Sequence, residues 1–217
     1  ALENLPTTNK IRVHGHSRGG AVILEAVSQR PDLFEHVEVI LEAPALPGGH
    51  THPLVSALLE PVSHGMWPWV IRLVNSTPSS SYGQMFFGKL NARKKKLLHK
   101  LFTATKDHLT IVRNIENLFA WMEKADYSVY EHLRHGTFLI PKVDRILDRN
   151  LMLKSALKSQ TSIRVIETEA LSHFVTLDDR KWIPSFDTTP SSDEAELVKR
   201  QQRQLRAAQA KALVSNG

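Results

Sequence analysis

The alternation of apolar and polar segments along the chain predicts a parallel sheet with helices between its strands. Four short runs rich in apolar and β-branched residues are typical of buried strands: 10–13, 37–41, 137–140 and 162–167. Between the first two runs, residues 18–29 contain helix formers and stop before Pro31, because proline cannot continue a helix. Strand, helix and strand in this order form the βαβ unit of α/β proteins. The predicted fold class is therefore α/β, with a mostly parallel sheet flanked by helices.

The first predicted strand leads directly into the sequence GHSRGG at 15–20, which has the G-x-S-x-G spacing of a nucleophile elbow. In such a turn the serine, here Ser17, adopts a strained backbone conformation that presents its hydroxyl. We expect glycine at Gly15 and Gly19 because a side chain at either position would crowd the turn. A chance match in a loop is the alternative, and the strand before Ser17 and the helix after it favour the elbow.

A serine nucleophile needs a base that takes its proton and an acid that orients the base. Asp144 follows the predicted strand 137–140, and His173 follows the predicted strand 162–167. Side chains just beyond the carboxyl ends of parallel strands collect at one edge of the sheet, where active sites of α/β proteins form. Ser17, Asp144 and His173 therefore form a candidate catalytic set.

The chain order serine, aspartate, histidine is that of the α/β-hydrolase superfamily, and the chain resembles its branch of single-domain hydrolases with a helical cap. Three stretches show the resemblance: GHSRGG at 15–20, PKVDRI at 141–146 and SHF at 172–174. The resemblance implies that Ser17 is the nucleophile, Asp144 the orienting acid and His173 the general base. It also implies that the backbone N–H of Arg18 is one donor of the oxyanion hole. A serine nucleophile implies ester, thioester or amide chemistry, unlike the dehalogenase and epoxide-hydrolase branches.

Two other carboxylates compete with Asp144 for the role of the acid. Asp148 lies one helical turn beyond Asp144, and it is equally suited to capping a helix. Glu42 ends the second predicted strand, where some α/β-hydrolases place their acid, and it is otherwise a structural carboxylate of the loop. His16, beside Ser17, is expected to shape the pocket floor or to pack nearby rather than to act as the base.

The elbow strand comes within about ten residues of Ala1, at the start of the chain. By the resemblance, a complete α/β-hydrolase has several strands and a helix before the elbow, including the loop with the second oxyanion-hole donor. We therefore expect the C-terminal portion of an α/β-hydrolase fold, with residues 1–9 as the tail of a preceding helix and its loop. Loss of one such donor costs about 3–4 kcal/mol of transition-state stabilisation. A noncatalytic or incomplete hydrolase that serves as a binding scaffold is therefore the alternative to an enzyme.

The predicted core comprises residues 1–44 and 133–184, and residues 45–132 form an inserted helical cap. The insertion is far longer than a connecting loop. Its predicted helices are 54–59, 67–73, the basic segment 90–102 and the amphipathic segment 110–125, with a loop rich in serine and proline at 76–83. Residues 185–217 are predicted to be a polar linker and a loose C-terminal helix or tail.

The composition is that of an ordinary globular chain. Its 217 residues are 41% hydrophobic, and no apolar run approaches the length of about 18 residues that a transmembrane helix needs. The chain has no cysteine, which excludes a disulfide framework and a thiol nucleophile. This composition is compatible with the cytoplasm, which is the expected location.

The formal net charge is +6, and four consecutive basic residues lie in the predicted helix 90–102: Arg93, Lys94, Lys95 and Lys96. Such a patch favours weak contact with anionic lipid headgroups, a phosphate-bearing substrate or nucleic acid, and the alternative is a solvated helix face. No specific nucleic acid is expected as a partner. His50, His52 and His64 lack a matching carboxylate pattern, so no metal site is expected either.

Together these residues predict a serine-nucleophile hydrolase that cleaves a carboxylic ester through an acyl-enzyme intermediate. The expected substrate is a small-molecule ester with a small or medium apolar acyl group, and no cofactor is needed. An acyltransferase with the same three residues is a further alternative, because exclusion of water from the acyl-enzyme would favour an alcohol or amine acceptor.

Overall fold

The computed structural model describes residues 11–53, 55, 84, 87–104, 108–159 and 163–184. In chain order, the strands and α-helices of this described part include β1 (Ile11–His16), α1 (Arg18–Gln29), β2 (Val37–Glu42), α2 (Ala92–Ala104), α3 (His108–Lys124), β3 (Gly136–Ile140), α4 (Arg149–Ala156), β4 (Arg164–Glu167) and α5 (Val175–Asp178). Short 3-10 helices lie at Pro31–Phe34, Tyr127–Tyr130 and Arg180–Trp182. The predicted tail at 185–217, the segment 1–9 and, apart from residue 55, the predicted elements at 54–59, 67–73 and 76–83 lie outside the described residues.

The four strands form one parallel sheet in the order β1-β2-β3-β4. Its register places Gly15 beside Leu41, Leu41 beside Phe138, and Phe138 beside Val165. Parallel neighbours need a crossover connection, and α1 provides it between β1 and β2. The predicted α/β class, with a parallel sheet flanked by helices, is confirmed.

Both faces of the sheet are covered by apolar side chains, as its β-branched and apolar strands require. The main core cluster includes buried side chains from three strands: Val37, Val39, Leu41, Phe138, Ile140 and Val165. Residues of α1 such as Leu24 and Val27 belong to the same cluster. A smaller cluster contains Ile40, Leu139 and Val175. Because successive strand residues face opposite sides, β2 and β3 contribute to both clusters.

The segment from the end of α3 to Tyr130 packs with the core. Met122, Val129 and Tyr130 are buried in the main cluster. In addition, the indole N–H of Trp121 donates to the carboxylate of Glu25 on α1 at 3.1 Å. The sequence predicts residues up to 132 to lie in the inserted cap, whereas this packing places the last part of that range with the core. That α2 and the rest of the insertion act as a cap stays a prediction.

Candidate active site

Ser17 occupies the tight turn between β1 and α1. Its φ of 54° and ψ of −119° lie in a region that residues with side chains rarely adopt. The Ser17 N–H donates to the carbonyl of Glu42 at 2.9 Å, and the Ser17 carbonyl accepts the N–H groups of Gly20 and Ala45 at 2.9 and 3.1 Å. These bonds hold the strained turn at the carboxyl end of the sheet, between β1 and the end of β2.

Glycine is required beside this turn at Gly15 and Gly20, and not at Gly19. A Cβ atom on Gly15 would lie 2.5 Å from the Ile23 side chain and 2.7 Å from the carbonyl oxygen of Gly19. A Cβ atom on Gly20 would lie 2.5 Å from Pro44. A Cβ atom on Gly19 meets nothing within 4 Å. The expectation that a side chain at Gly19 would crowd the turn is therefore wrong, because that position on α1 faces open space.

His173 and Asp144 form a buried hydrogen-bonded pair. The imidazole Nδ1 of His173 lies 2.6 Å from Oδ2 of Asp144, and the other carboxylate oxygen accepts the backbone N–H groups of Ile146 and Leu147 at 2.8 and 3.0 Å. Because an ionised carboxylate only accepts hydrogen bonds, Nδ1 of His173 carries the proton in this pair. The loop after β3 thus fixes the carboxylate, which in turn orients the imidazole.

The Asp144 carboxyl is charged in this environment. Burial alone raises its pKa, but attraction by His173 and hydrogen bonds from His173, Leu147 and Ile146 outweigh burial. The pKa of Asp144 consequently lies below its ordinary value. An ionised carboxylate at Nδ1 stabilises the protonated imidazole that forms when a histidine acts as a base.

The second imidazole nitrogen of His173, Nε2, is buried and has no hydrogen-bond partner within the described part of the chain. A buried polar atom without a partner is costly, and a catalytic role is one of the explanations for such an atom. It follows that Ser17 and His173 are not hydrogen bonded in this structure, although both lie at the same edge of the sheet. Hydrogen bonds between catalytic groups are often long before substrate binds.

His16 connects the elbow with the His173 loop. Its Nε2–H donates to the carbonyl of His173 at 3.1 Å, and its ring lies 4.7 Å from the ring of His173 and 4.8 Å from that of Phe174, centroid to centroid. Burial, together with repulsion by His173, lowers the pKa of His16 to about 4. His16 is thus neutral near pH 7 and packs beside His173, in keeping with the packing role that its position predicts.

The two alternative carboxylates have other partners. Glu42 accepts hydrogen bonds from the backbone N–H and hydroxyl of Thr176 at 2.9 and 2.7 Å, and its carboxylate lies 2.9 Å from Nε2 of His14. Burial raises the pKa of Glu42, but these hydrogen bonds outweigh burial and leave the pKa below its ordinary value. Asp148 caps α4 by accepting the N–H groups of Asn150 and Leu151 at 2.9 and 3.0 Å. The structure therefore pairs His173 with Asp144, rather than with Glu42 or Asp148.

Arg18 is the first residue of α1. The N–H groups in the first turn of a helix have no partner within that helix, and the helix dipole makes this end partly positive. The Arg18 N–H thus has the chemistry that the resemblance implies for an oxyanion-hole donor. It follows Ser17 directly, at the carboxyl end of β1.

Lys94 differs from the other basic residues of its run, which are exposed: Arg93, Lys95 and Lys96. Lys94 is only 1% exposed, and its ammonium donates to the carbonyl of Phe87 at 2.7 Å and to the hydroxyl of Ser172 at 2.9 Å. The prediction that Lys94 contributes to an exposed basic patch is therefore wrong. Contact of the other three residues with an anionic surface stays a prediction.

A signal for this burial is present in the sequence. In the sequence, Leu97, Leu98 and Leu101 follow Lys94 at the helical spacings i+3, i+4 and i+7, which predicts a position on the apolar side of the helix. Ser172, which receives the ammonium, is itself buried and directly precedes His173. Within the basic run, the position of Lys94 on the apolar side of the helix is thus the signal that separates it from its exposed neighbours.

Neither a metal cluster nor a membrane-spanning helix occurs in the described residues. They contain no group of three or more histidine, aspartate or glutamate side chains that could hold a metal ion. His64, one of the three histidines considered as ligands, lies outside them. None of the described helices combines the length and the apolar character needed to cross a membrane.

Two solved hydrolases share this architecture. One is 2-hydroxy-6-oxo-6-phenylhexa-2,4-dienoate hydrolase from Rhodococcus sp. strain RHA1, with a TM-score of 0.51 and 20% identity, covering 79% of this chain and 60% of that one. The other is a hydrolase from Oleispira antarctica, with a TM-score of 0.51 and 16% identity, covering 79% of this chain and 61% of that one. The chain thus has an α/β-hydrolase-like fold, as its motifs predict, and spans about 60% of the length of these two structures. No family model and no curated protein matches the chain.

Proposed function

We propose that this α/β-hydrolase-like fold contains a serine-nucleophile site that cleaves carboxylic esters through an acyl-enzyme intermediate. The main support is the state of His173. Its Nδ1 is held by the buried Asp144, while its Nε2 is buried without a partner among the described residues. This is the arrangement that a general base needs, because one nitrogen is oriented and the other is free to take a proton.

The strained turn at Ser17 supports the same proposal. Backbone strain persists only where the surrounding structure imposes it, and here the bonds to Glu42 and Ala45 do so. The turn keeps the serine at the edge of the sheet where His173 also lies. In the proposed reaction, His173 takes the proton of the Ser17 hydroxyl while the oxygen of Ser17 attacks the ester carbonyl.

The negative charge that develops on the carbonyl oxygen would be stabilised by the N–H of Arg18 at the start of α1. Protonated His173 would then give its proton to the leaving alcohol, while Asp144 keeps the imidazole oriented. Water, deprotonated by His173, would cleave the acyl-enzyme and restore Ser17. The helical insertion is proposed to cover the site and to select the acyl or alcohol group.

Labelling with a fluorophosphonate tests this proposal, because the probe reacts with activated serine hydroxyls. The full chain and the His173→Ala variant are labelled, and the adduct is located by peptide mass spectrometry. We expect a single adduct at Ser17 that is lost in the variant. Release of p-nitrophenol from p-nitrophenyl esters with short acyl chains then tests the ester substrate.

Circular dichroism must show that both proteins are folded. A folded wild-type chain without an adduct would contradict the proposal and favour a noncatalytic binding scaffold. Labelling that persists after His173→Ala would exclude His173 as the base. Labelling at Ser17 without ester cleavage would support an activated serine but contradict the proposal that the substrate is a carboxylic ester.

A further inference from the structure

The ammonium of Lys94 is buried against the segment that bears His173. Its contacts are the carbonyl of Phe87 at 2.7 Å, the hydroxyl of Ser172 at 2.9 Å and the carboxylate of Asp178. An ammonium has three N–H donors, so these three acceptors satisfy it fully. A buried charge without such partners would be strongly unfavourable. Because α2 bears Lys94, its position in the fold depends on these three acceptors.

The two side-chain partners of Lys94 lie on either side of His173 in the chain. Ser172 immediately precedes His173, and Asp178 ends α5, which follows it. The hydroxyl of Ser172 donates to Asp178 at 2.6 Å and lies 3.2 Å from the backbone N–H of Phe174. The Lys94 ammonium, the Ser172 hydroxyl and the Asp178 carboxylate thus contact one another, and the last two belong to residues on either side of His173 in the chain.

Other contacts of the same segment fit this docking. Gly88 has φ of 64°, and a Cβ atom there would lie 2.9 Å from Cβ of Ser172. The side chain of Asn91 donates to the carbonyl of Leu177 at 2.8 Å and accepts the backbone N–H of Lys94 at 2.9 Å. Residues 87–94 therefore approach both flanks of His173 so closely that a glycine is needed at the contact.

We propose that Lys94 is a positioning residue that docks α2 onto residues 172–178 and so holds the His173 imidazole in its productive orientation. This inference rests on the proposed function. Lys94 acts through Ser172 and Asp178 and has no role at the reacting atoms. Within the same segment, the backbone N–H and the hydroxyl of Thr176 donate to the carboxylate of Glu42, which ends β2. His173 is thus held from β2 and from α2, and the contact from α2 links the insertion to the base.

Labelling kinetics on the full chain test this role. Lys94→Met removes the ammonium and keeps much of the side-chain volume, and Lys95→Met removes the same charge from an exposed position on the same helix. Small misplacement of a catalytic group can cost on the order of 100-fold in rate. We expect Lys94→Met to lower the maximum rate of Ser17 labelling on the order of 10- to 100-fold, with little change in the probe concentration at half-maximal rate. Lys95→Met should leave both values unchanged.

A merely structural role gives a different result. In that case Lys94→Met would lower the melting temperature and the fraction of folded protein, while each folded molecule would react at the wild-type maximum rate. That outcome would overturn the inference.

Asp178→Asn provides a second variant, because it removes the charged partner at a position whose side chain is 24% exposed. We expect it to lower the maximum rate in the same way, and a wild-type rate in this variant would also contradict the inference.

Amide hydrogen exchange separates this inference from the proposed function, because it does not depend on activity. We expect Lys94→Met to speed exchange in residues 171–178 more than in α1, and Lys95→Met to leave both unchanged. If the wild-type chain is not labelled at all, the proposed function fails, and the exchange data still show whether Lys94 holds this segment. Equal exchange in residues 171–178 of Lys94→Met and wild type would overturn the docking itself.

Discussion

Oδ2 of Asp144 lies 2.6 Å from Nδ1 of His173, with both side chains almost completely shielded from solvent. In Asp144→Asn, an amide that is always neutral replaces the carboxylate and favours the wrong imidazole tautomer. Such a substitution lowers activity on the order of 10⁴-fold in serine proteases. We expect Asp144→Asn to lower the rate of Ser17 labelling on the order of 10³- to 10⁴-fold, measured by probe incorporation over time.

Asp148 provides the matched control for Asp144, because it caps α4 four residues further along the chain. Asp148→Ala should lower the free energy of unfolding by about 1 kcal/mol, the usual cost of losing a helix cap. Its labelling rate at Ser17 should equal that of wild type under conditions where both are folded. Slow labelling in Asp148→Ala with normal labelling in Asp144→Asn would assign the acid to Asp148 instead.

The two glycines around the elbow are expected to differ in their tolerance of alanine. Gly15→Ala places a Cβ atom 2.7 Å from a backbone oxygen, which cannot move without distorting the turn, and should cost about 1–3 kcal/mol. Gly19→Ala meets no atom and should be neutral or stabilise the chain by up to about 1 kcal/mol, since alanine favours helix. Urea unfolding of both variants measures these values. If Gly15→Ala and Gly19→Ala lower the free energy of unfolding equally, the packing described for this turn is contradicted.

The positive φ of Ser17 predicts that glycine fits this turn better than alanine. Ser17→Ala and Ser17→Gly both remove the hydroxyl, and neither should be labelled by a fluorophosphonate. Glycine tolerates positive φ, so Ser17→Gly should be more stable than Ser17→Ala by about 1 kcal/mol, as judged by urea unfolding. If Ser17→Ala is more stable than Ser17→Gly, the backbone at this turn does not keep its positive φ in solution.

Much of this site is predictable from sequence because it depends on local patterns. Helix α1 begins and ends at the predicted residues, since the elbow turn at Ser17 precedes it and Pro31 stops it. Asp144 and His173 are predictable as neighbours because each follows a parallel strand. The burial of Lys94 is harder to predict, because its acceptors Ser172 and Asp178 come 78 and 84 residues later in the chain. Their contact depends on how α2 docks, which local propensity does not determine.

His16 should make the stability of the fold sensitive to mildly acidic pH. Burial and repulsion by His173 lower its pKa from 6.5 to about 4. Between these two values the unfolded chain binds a proton at His16 that the folded chain does not, so stability falls as pH falls through this window. This residue alone is expected to remove roughly 2 kcal/mol from the free energy of unfolding between pH 7 and pH 5.

Urea unfolding at several pH values between 7 and 4 measures this dependence on His16. His16→Gln keeps a side-chain N–H that can donate to the carbonyl of His173, but it does not titrate, so its stability should fall less steeply than that of wild type. His132→Gln, at an exposed position, removes a histidine without changing the elbow and should retain the wild-type slope. If His16→Gln keeps the full wild-type slope, protonation of His16 is not what destabilises the fold. The buried carboxylates Glu42 and Asp144 do not account for a loss of stability near pH 6, because their pKa values are lowered and the stability they contribute is lost only at still lower pH.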